Sequence, residues 1–273
     1  MTTDASKQYV SNLEELQRDT SVFYRHVFHT LIDESVPFLV GGAYALTTYT
    51  GITRRTKDFD IFVLPHDIQR TLSILAKAGY RTELKYEHWI GKVMHAEHVI
   101  DLIFNSGNGI CPVDQEWFEH AVPDEVLGLP LRLCPAEELI WQKAFIMERD
   151  RYDGADVAHL ILARGEQLDW PRLLRRFGDH WHVLLAHLVL FTFIYPGEQS
   201  RIPRPIMDEL LGRLQAQLDR GQAAERLCRG TLLSLLGYLD DVQREGYRDA
   251  RLIPLGTMTE RQVAAWTAAF ERP

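Results

Sequence analysis

"RRTKDFDIFV", residues 54–63, decides how the first half of this chain is read. The apolar run that follows its two aspartates marks a strand, and in a strand residues i and i+2 share a face. Asp58 and Asp60 therefore project together, with Phe59 and Ile61 turned the other way. Two carboxylates side by side repel, and burying them without a partner is costly. The pair needs a positive species in front of it.

Upstream, "FLVGGAYALTTYTG" (38–51) reads as a short buried strand, the glycine pair Gly41-Gly42, and a short helix closed by Gly51. Leu13, Leu16, Phe23, Val27 and Leu31 recur at helical spacing and predict a helix within 11–34, ended by Pro37. Downstream, Asp67 is placed to cap a helix from Ile68 to about Ala78, with Gly79 as its stop. "YRTELKYE" (80–87), "HWIGKVMHA" (88–96) and "HVIDLIFN" (98–105) read as strands, the last two as a hairpin.

After Asn105 the character changes. "SGNGICPVD" is a loop, and strand patterns thin out beyond "LPLRLC" at 129–134. Pro135 reads as the first residue of a helix through Glu148. Helical patterns follow at 153–164, 171–177, 181–195, 204–219, 223–245 and 259–271. Thr257 with Glu260, or Thr259 with Gln262, forms a capping box for the last. The order predicts an α/β (α+β) fold, a mixed sheet followed by an all-helical half, divided into 1–134 and 135–273.

Composition sets the bounds. The chain has 273 residues, 46% of them hydrophobic, and a formal charge of −8. That balance argues against a surface coated for indiscriminate nucleic-acid binding. Cys111, Cys134 and Cys228 lie far apart and form no CxxC pair, which fits a reducing cytoplasm. The first ten residues show no apolar segment of a secretory signal. The longest apolar run, "VLLAHLVLFTFIY" (183–195), is too short to span a bilayer and contains His187. It is expected to be a buried core helix, and no membrane partner is expected.

Three features combine into a chemistry. Gly41-Gly42 sits between a strand and a helix, Asp58 and Asp60 open the next strand, and Asp101 interrupts the apolar "HVIDLIF". Three carboxylates at one end of a sheet suit hard divalent cations such as Mg²⁺, which prefer oxygen ligands and bridge to phosphates. Two such ions stabilise the attacking and leaving oxygens of a phosphoryl transfer. A turn without side chains at a helix N-terminus lets backbone N–H groups approach a triphosphate. Arg54, Arg55 and Lys57 stand ready to offset phosphate charge.

With these pieces the sequence resembles the nucleotidyltransferase superfamily with the DNA-polymerase-β-like palm. "GGAYAL" matches its glycine motif, "RRTKDFDIFV" its R-x-T-x-D-x-D strand, and "HVIDLIF" its third carboxylate. The resemblance covers about 36–105. It implies that residues 1–134 form the catalytic domain and that the enzyme transfers a nucleoside monophosphate from an NTP to an acceptor hydroxyl. It implies that Asp58, Asp60 and Asp101 are catalytic and bind two Mg²⁺, with Asp101 also assisting deprotonation. Gly41, Gly42, Arg54 and Thr56 would bind the nucleotide.

A looser resemblance, over "LIWQKAFIMERDRYDGADVAHLI" (139–161), is to bacterial toxin-type, AbiEii-like nucleotidyltransferases. There Lys143 would match a phosphate-contacting lysine, and Asp153 and Asp156 the aspartates of a second motif. This implies an ATP-type nucleotide, a cytoplasmic protein, and a protein partner or antitoxin. The acceptor implied is an RNA or tRNA end, a small molecule or a protein. The chain departs from the pattern in two places: Ala43 stands where many members have serine, and Arg151-Tyr152-Asp153 replaces Arg-Asp.

Other readings compete. Lys143 would otherwise lie on a solvated helix face, and Asp153 would cap the next helix. His180, His182 and His187 suggest a metal, but a surface or core role fits better. Arg172, Arg175 and Arg176 read as a solvated helix face rather than an RNA-binding patch. Trp141 reads as core more readily than as a base-stacking platform, and His66 as a loop residue. The alternative to an enzyme is a catalytically degenerate nucleotide-binding or protein-interaction module on the same fold.

Overall fold

The computed structural model describes residues 20–53, 58–221 and 225–270. Arg54, Arg55, Thr56 and Lys57 lie outside the described residues, as does the 11–19 part of the expected first helix. Helix α1 (20–33) is followed by β1 (Phe38–Val40), α2 (Gly42–Thr50), β2 (Asp58–Val63) and α3 (Ile68–Lys77). Strands β3 (Arg81–Tyr86), β4 (Ile90–His95) and β5 (His98–Ile103) come next. Helix α4 (Gln115–Glu119) leads to β6 (Val122–Val126) and β7 (Leu129–Leu133). Then come α5 (Ala136–Ala144), α6 (Gly154–Arg164), α7 (Trp170–Phe177), α8 (Trp181–Ile194) and α9 (Arg204–Arg220). The chain finishes with β8 (Leu227–Cys228), α10 (Leu239–Gln243), β9 (Arg248–Asp249) and α11 (Glu260–Phe270).

Seven strands form one mixed sheet in the order β3-β4-β5-β2-β1-β7-β6, and β8-β9 form a second, two-stranded one. β2 runs parallel to β5 and antiparallel to β1, so the aspartate strand sits at the centre of the main sheet. Alternation along β2 sorts the two faces. Phe59 turns toward α1, where its ring lies 5.3 Å from that of Phe28. Asp58, Asp60 and Phe62 turn the other way, and Phe62 packs on Trp117 at 4.9 Å. A Cβ on Gly91 would touch Ile68 and Leu72, so α3 covers the same face as α1. The opposite face is left for the aspartates. A single apolar core extends from Phe23 to Ala250, so sheet and helices share it.

Most expected elements are present, including the β4–β5 hairpin around Ala96 and Glu97. Thr259 and Gln262 make the second of the two capping boxes: each side chain takes the other's backbone N–H, at 2.9 and 3.3 Å. Five expectations need correction. The helix expected from Pro135 to Glu148 ends at Ala144, because Met147 and Tyr152 pair as an antiparallel bridge that folds the chain back. Pro135 stands just outside it in an extended conformation. The helix expected over 223–245 is, among described residues, a short strand, two 3₁₀ turns and the five-residue α10. Asp67 occupies the cap position of α3 without a side-chain cap, its carboxylate lying 3.5 Å from His66.

Helix α8 is not wholly buried, since Val189, Leu190, Phe193 and Ile194 are exposed along one side. The span Trp170–Ile194 passes a length-and-composition test for crossing a membrane. It is divided between α7 and α8 by the 3₁₀ turn Gly178–His180. The fifth correction concerns the arginines of α7. Arg172 is buried against Glu137 at 2.7 Å and pairs with Glu138 as well. Arg176 reaches Glu138 at 3.0 Å and Asp114 at 2.6 Å. Only Arg175 is exposed, beside Glu116. The face is an internal ion-pair network rather than a solvated one. Helix α4 and strand β6 had no clear signal in the sequence.

Candidate active site

β1 ends at Val40 and the chain turns at once into α2, whose N-terminus faces the middle of β2. The Gly41 N–H donates to the Asp60 carbonyl at 3.0 Å. Gly42 has φ +54°, a left-handed conformation that side chains disfavour, and a Cβ there would overlap the Asp60 carboxylate. A Cβ on Gly41 would overlap the Phe62 ring. Both glycines are therefore required for the turn to lie against the aspartate strand.

The register of the sheet brings the third carboxylate into line. Asp101 on β5 stands directly beside Asp60 on β2, and parallel neighbours point to the same face. Asp58 sits two residues along on that face. Burial, then the charges of Asp101 and Asp58, push the Asp60 carboxyl up to about 7, with Lys143 and Arg151 pulling the other way. Asp101 is raised too, mainly by burial, against a hydrogen bond from Lys92 at 2.7 Å. No hydrogen bond from a described residue contributes at Asp60.

The looser second motif also assembles. Lys143 on α5 reaches Asp153 at 2.9 Å and Asp156 at 2.7 Å, and its side chain is only 15% exposed. The solvated-face reading of Lys143 does not hold. Asp153 starts α6 without capping it, its carboxylate instead taking Lys143 and Arg151. These bonds hold the Asp153 carboxyl below its ordinary value despite burial.

Asp58, Asp60, Asp101, Gly42, Lys143, Arg151 and Asp153 all line one cleft of about 520 Å³. Asp156 stands behind Lys143 and does not line it. The far wall was not legible in the sequence. It comes from Trp89, the loop Asn105–Asn108, and the C-terminal residues Leu232, Leu233, Leu235, Trp266 and Phe270. The wall is fastened to the rest of the chain at several points. Asn108 donates to the Leu232 carbonyl at 2.7 Å, and Thr257 to that of Gly109 at 2.8 Å. Ser234 and the Leu235 N–H both bond Glu148 at 2.7 Å. Trp266 packs edge-on to Trp89 at 5.2 Å. The signal that was missed is the aromatic spacing of α11, which serves the cleft rather than a core.

The remaining candidates fall outside the cleft. His187 is buried and bonds the Ala144 carbonyl, His182 bonds Gln217, and His180 packs on Phe145. Trp141 is core, with Arg176 over its ring at 5.3 Å. His66 is exposed. Cys111, Cys134 and Cys228 are buried thiols.

A divalent cation needs hard oxygen donors, and Asp58, Asp60 and Asp101 are such a set. Among the described residues, however, no three His, Cys, Asp or Glu side chains converge closely enough to enclose an ion. Asp101 is engaged by Lys92. The two carboxylates of β2 are of the donor type a cation takes, and Asp101 would join through the oxygen not bonded to Lys92.

No family model matches the sequence, and no curated protein matches it significantly. The structure is similar to that of the antibiotic-resistance factor ANT(2'')-Ia, at 18% identity and TM-score 0.42, covering 62% of this chain and 97% of the other. It is similar to the lincosamide antibiotic adenylyltransferase LnuA with lincomycin bound, at 15% and 0.36, covering 51% and 94%. An antigenic nucleotidyltransferase-like protein from Paracoccidioides brasiliensis matches at 16% and 0.35, covering 64% and 92%. These likenesses concern the fold.

Proposed function

We propose that this chain is a nucleotidyltransferase that moves a nucleoside monophosphate from an NTP to an acceptor hydroxyl. The observation that carries this reading is the juxtaposition of Asp60 with Asp58, Asp101 and the Gly42 turn. Three carboxylates gathered where a helix N-terminus opens, with the Asp60 carboxyl pushed up to about 7, form a site suited to a cationic guest. Asp58 and Asp60 would hold Mg²⁺, and Asp101 would complete the set. Bound there, the ion supplies charge compensation for the triphosphate.

The chain's own groups would divide the remaining work. Backbone N–H groups at the start of α2 would receive the β- and γ-phosphates, which the left-handed Gly42 allows to approach closely. Lys143 and Arg151, which line the same cleft, would offset phosphate charge. Asp101 would accept the proton of the incoming hydroxyl. The hydroxyl oxygen forms a bond to the α-phosphorus as the bond to the bridging oxygen breaks, and pyrophosphate leaves toward the glycine turn. Residues 1–134 would form the catalytic domain, with 135–273 supplying Lys143 and the far wall.

The ion pairs of Asp101 with Lys92 and of Lys143 with Asp153 and Asp156 favour one second reading. In it these groups satisfy one another, and the chain is a nucleotide-binding module without turnover. The two are separated by incubating the protein with α-labelled NTPs, Mg²⁺, and total RNA, total protein or the small-molecule fraction of a cell extract. Transfer predicts a labelled product in one fraction, absent with Asp58→Asn. Metal-dependent NTP binding with no product in any fraction supports the module.

A further inference from the structure

Lys92 has no place in the reaction described above, yet its position is closely specified. On β4 it stands directly opposite Asp101 of β5, with Glu83 of β3 on its other side. Asp101 stands beside Asp60. Directly paired residues share a face, so one row runs across four strands: Glu83, Lys92, Asp101, Asp60. It ends at Gly41, whose N–H meets the Asp60 carbonyl.

Within that row the lysine lies on the side of Asp101 away from Asp60. Its Nζ donates to Asp101 Oδ1 at 2.7 Å, a charge-assisted bond at the strong end of the range. Asp101 lines the cleft and Lys92 does not. A carboxylate beside two others is pushed away by them, and its side chain rotates at little cost. A lysine fastened to one oxygen from behind fixes the carboxylate in one orientation and leaves the other oxygen for the cleft.

We infer that Lys92 is a positioning residue: it fixes the Asp101 carboxylate with one oxygen turned to the cleft and the acceptor hydroxyl, and sets turnover without touching NTP. The inference rests on the transferase reading. Its consequence is a separation of effects. In that reading Asp58, Asp60 and the α2 turn carry most of the hold on NTP and metal, with Asp101 only completing the set, so losing Lys92 should weaken binding little and slow the chemical step much more.

The test compares wild type, Lys92→Met, Lys92→Arg and Asp58→Asn. Transfer is followed with α-labelled NTPs and cell extract, and binding with Mn²⁺ plus a non-hydrolysable NTP analogue, read by electron paramagnetic resonance. Lys92→Met should lower kcat about 10- to 100-fold, the usual cost of losing a group that orients a ligating or reacting side chain. Its KM for NTP and its Mn²⁺ binding should stay within about threefold of wild type. Lys92→Arg, which restores a donor, should recover most of the loss. Wild-type kcat in Lys92→Met overturns the inference. So does a fall in Mn²⁺ binding as large as the fall in kcat, or an arginine variant no better than methionine. Equal labelled product from wild type and Asp58→Asn would instead remove the transferase reading, and the inference with it.

Discussion

Two groups of buried charge occupy this molecule, and they are built on opposite plans. Around α7, Arg172 and Arg176 each meet carboxylates of other elements, including Glu137, Glu138 and Asp114. At the mouth of the sheet, Asp58, Asp60 and Asp101 share one face, with Lys92 bonded to Asp101. The first group joins segments distant in sequence and leaves its guanidinium groups paired. The second collects like charge and leaves the Asp60 carboxyl pushed up to about 7. A network paired within the chain shapes the chain. Like carboxylates gathered on one wall of a cleft, one of them pushed up to about 7, are placed to meet what enters it.

The comparison is tested most severely by exchanging outcomes between the two groups. Asp60→Asn should cut transfer by about 1,000-fold or more, the scale on which removing an electrostatic stabiliser acts. The fold should persist, because the substitution removes a charge from a repulsive cluster. Activity assays beside thermal melts check both halves. Arg172→Met should do the reverse. It leaves Glu138 to Arg176 alone and Glu137 without its buried partner, and should cost about 3 kcal/mol of stability by denaturant titration. Replacing Glu138 with leucine as well should recover much of that loss, while the folded fraction keeps its transfer rate.

Gly42→Ala tests the join between turn and cluster. The strain of a left-handed alanine is about 1–3 kcal/mol, and the new Cβ would overlap the Asp60 carboxylate. Transfer should fall much more than the melting temperature. Equal activity in this variant would separate the turn from the site.

A smaller effect should appear with pH. The Asp60 carboxyl titrates higher in the folded chain, at about 7, than the ordinary aspartate value of about 3.9. Its contribution to stability is therefore fully present below the lower value and is lost as pH rises through the higher one. In chelator, wild type should lose melting temperature relative to Asp60→Asn between pH 5 and pH 8. A difference that stays constant over that range would contradict the charge assignment.

The sheet-bearing first half was legible because its signals are local. A glycine pair between strand and helix, and alternation in "DFDIFV", place residues by spacing alone. Even the Lys92–Asp101 pair was within reach, since counting back from a two-residue turn at Ala96-Glu97 puts them opposite one another. Arg172 was misread for the converse reason. Helical spacing shows that an arginine shares a face with its neighbours, but not that Glu138, 34 residues earlier, is packed against that face. The periodicity of 223–245 predicts a helix, yet among the described residues tertiary bonds override it: Thr231 bonds Asp249, which also holds Arg251. Trp266 reaches the cleft only because the C-terminal segment doubles back over the loop Asn105–Asn108, which no local pattern encodes.

The central claim is that Asp58 and Asp60 form a centre for a metal-bound triphosphate. Calorimetric titration with non-hydrolysable analogues of the four NTPs, with Mg²⁺ or with chelator, tests it most directly in wild type and in the Asp58→Asn, Asp60→Asn double variant. At least one analogue should bind wild type, much more weakly in chelator, and the double variant should lose the Mg²⁺-dependent part. Binding that ignores Mg²⁺, or that survives unchanged in the double variant, would contradict the claim.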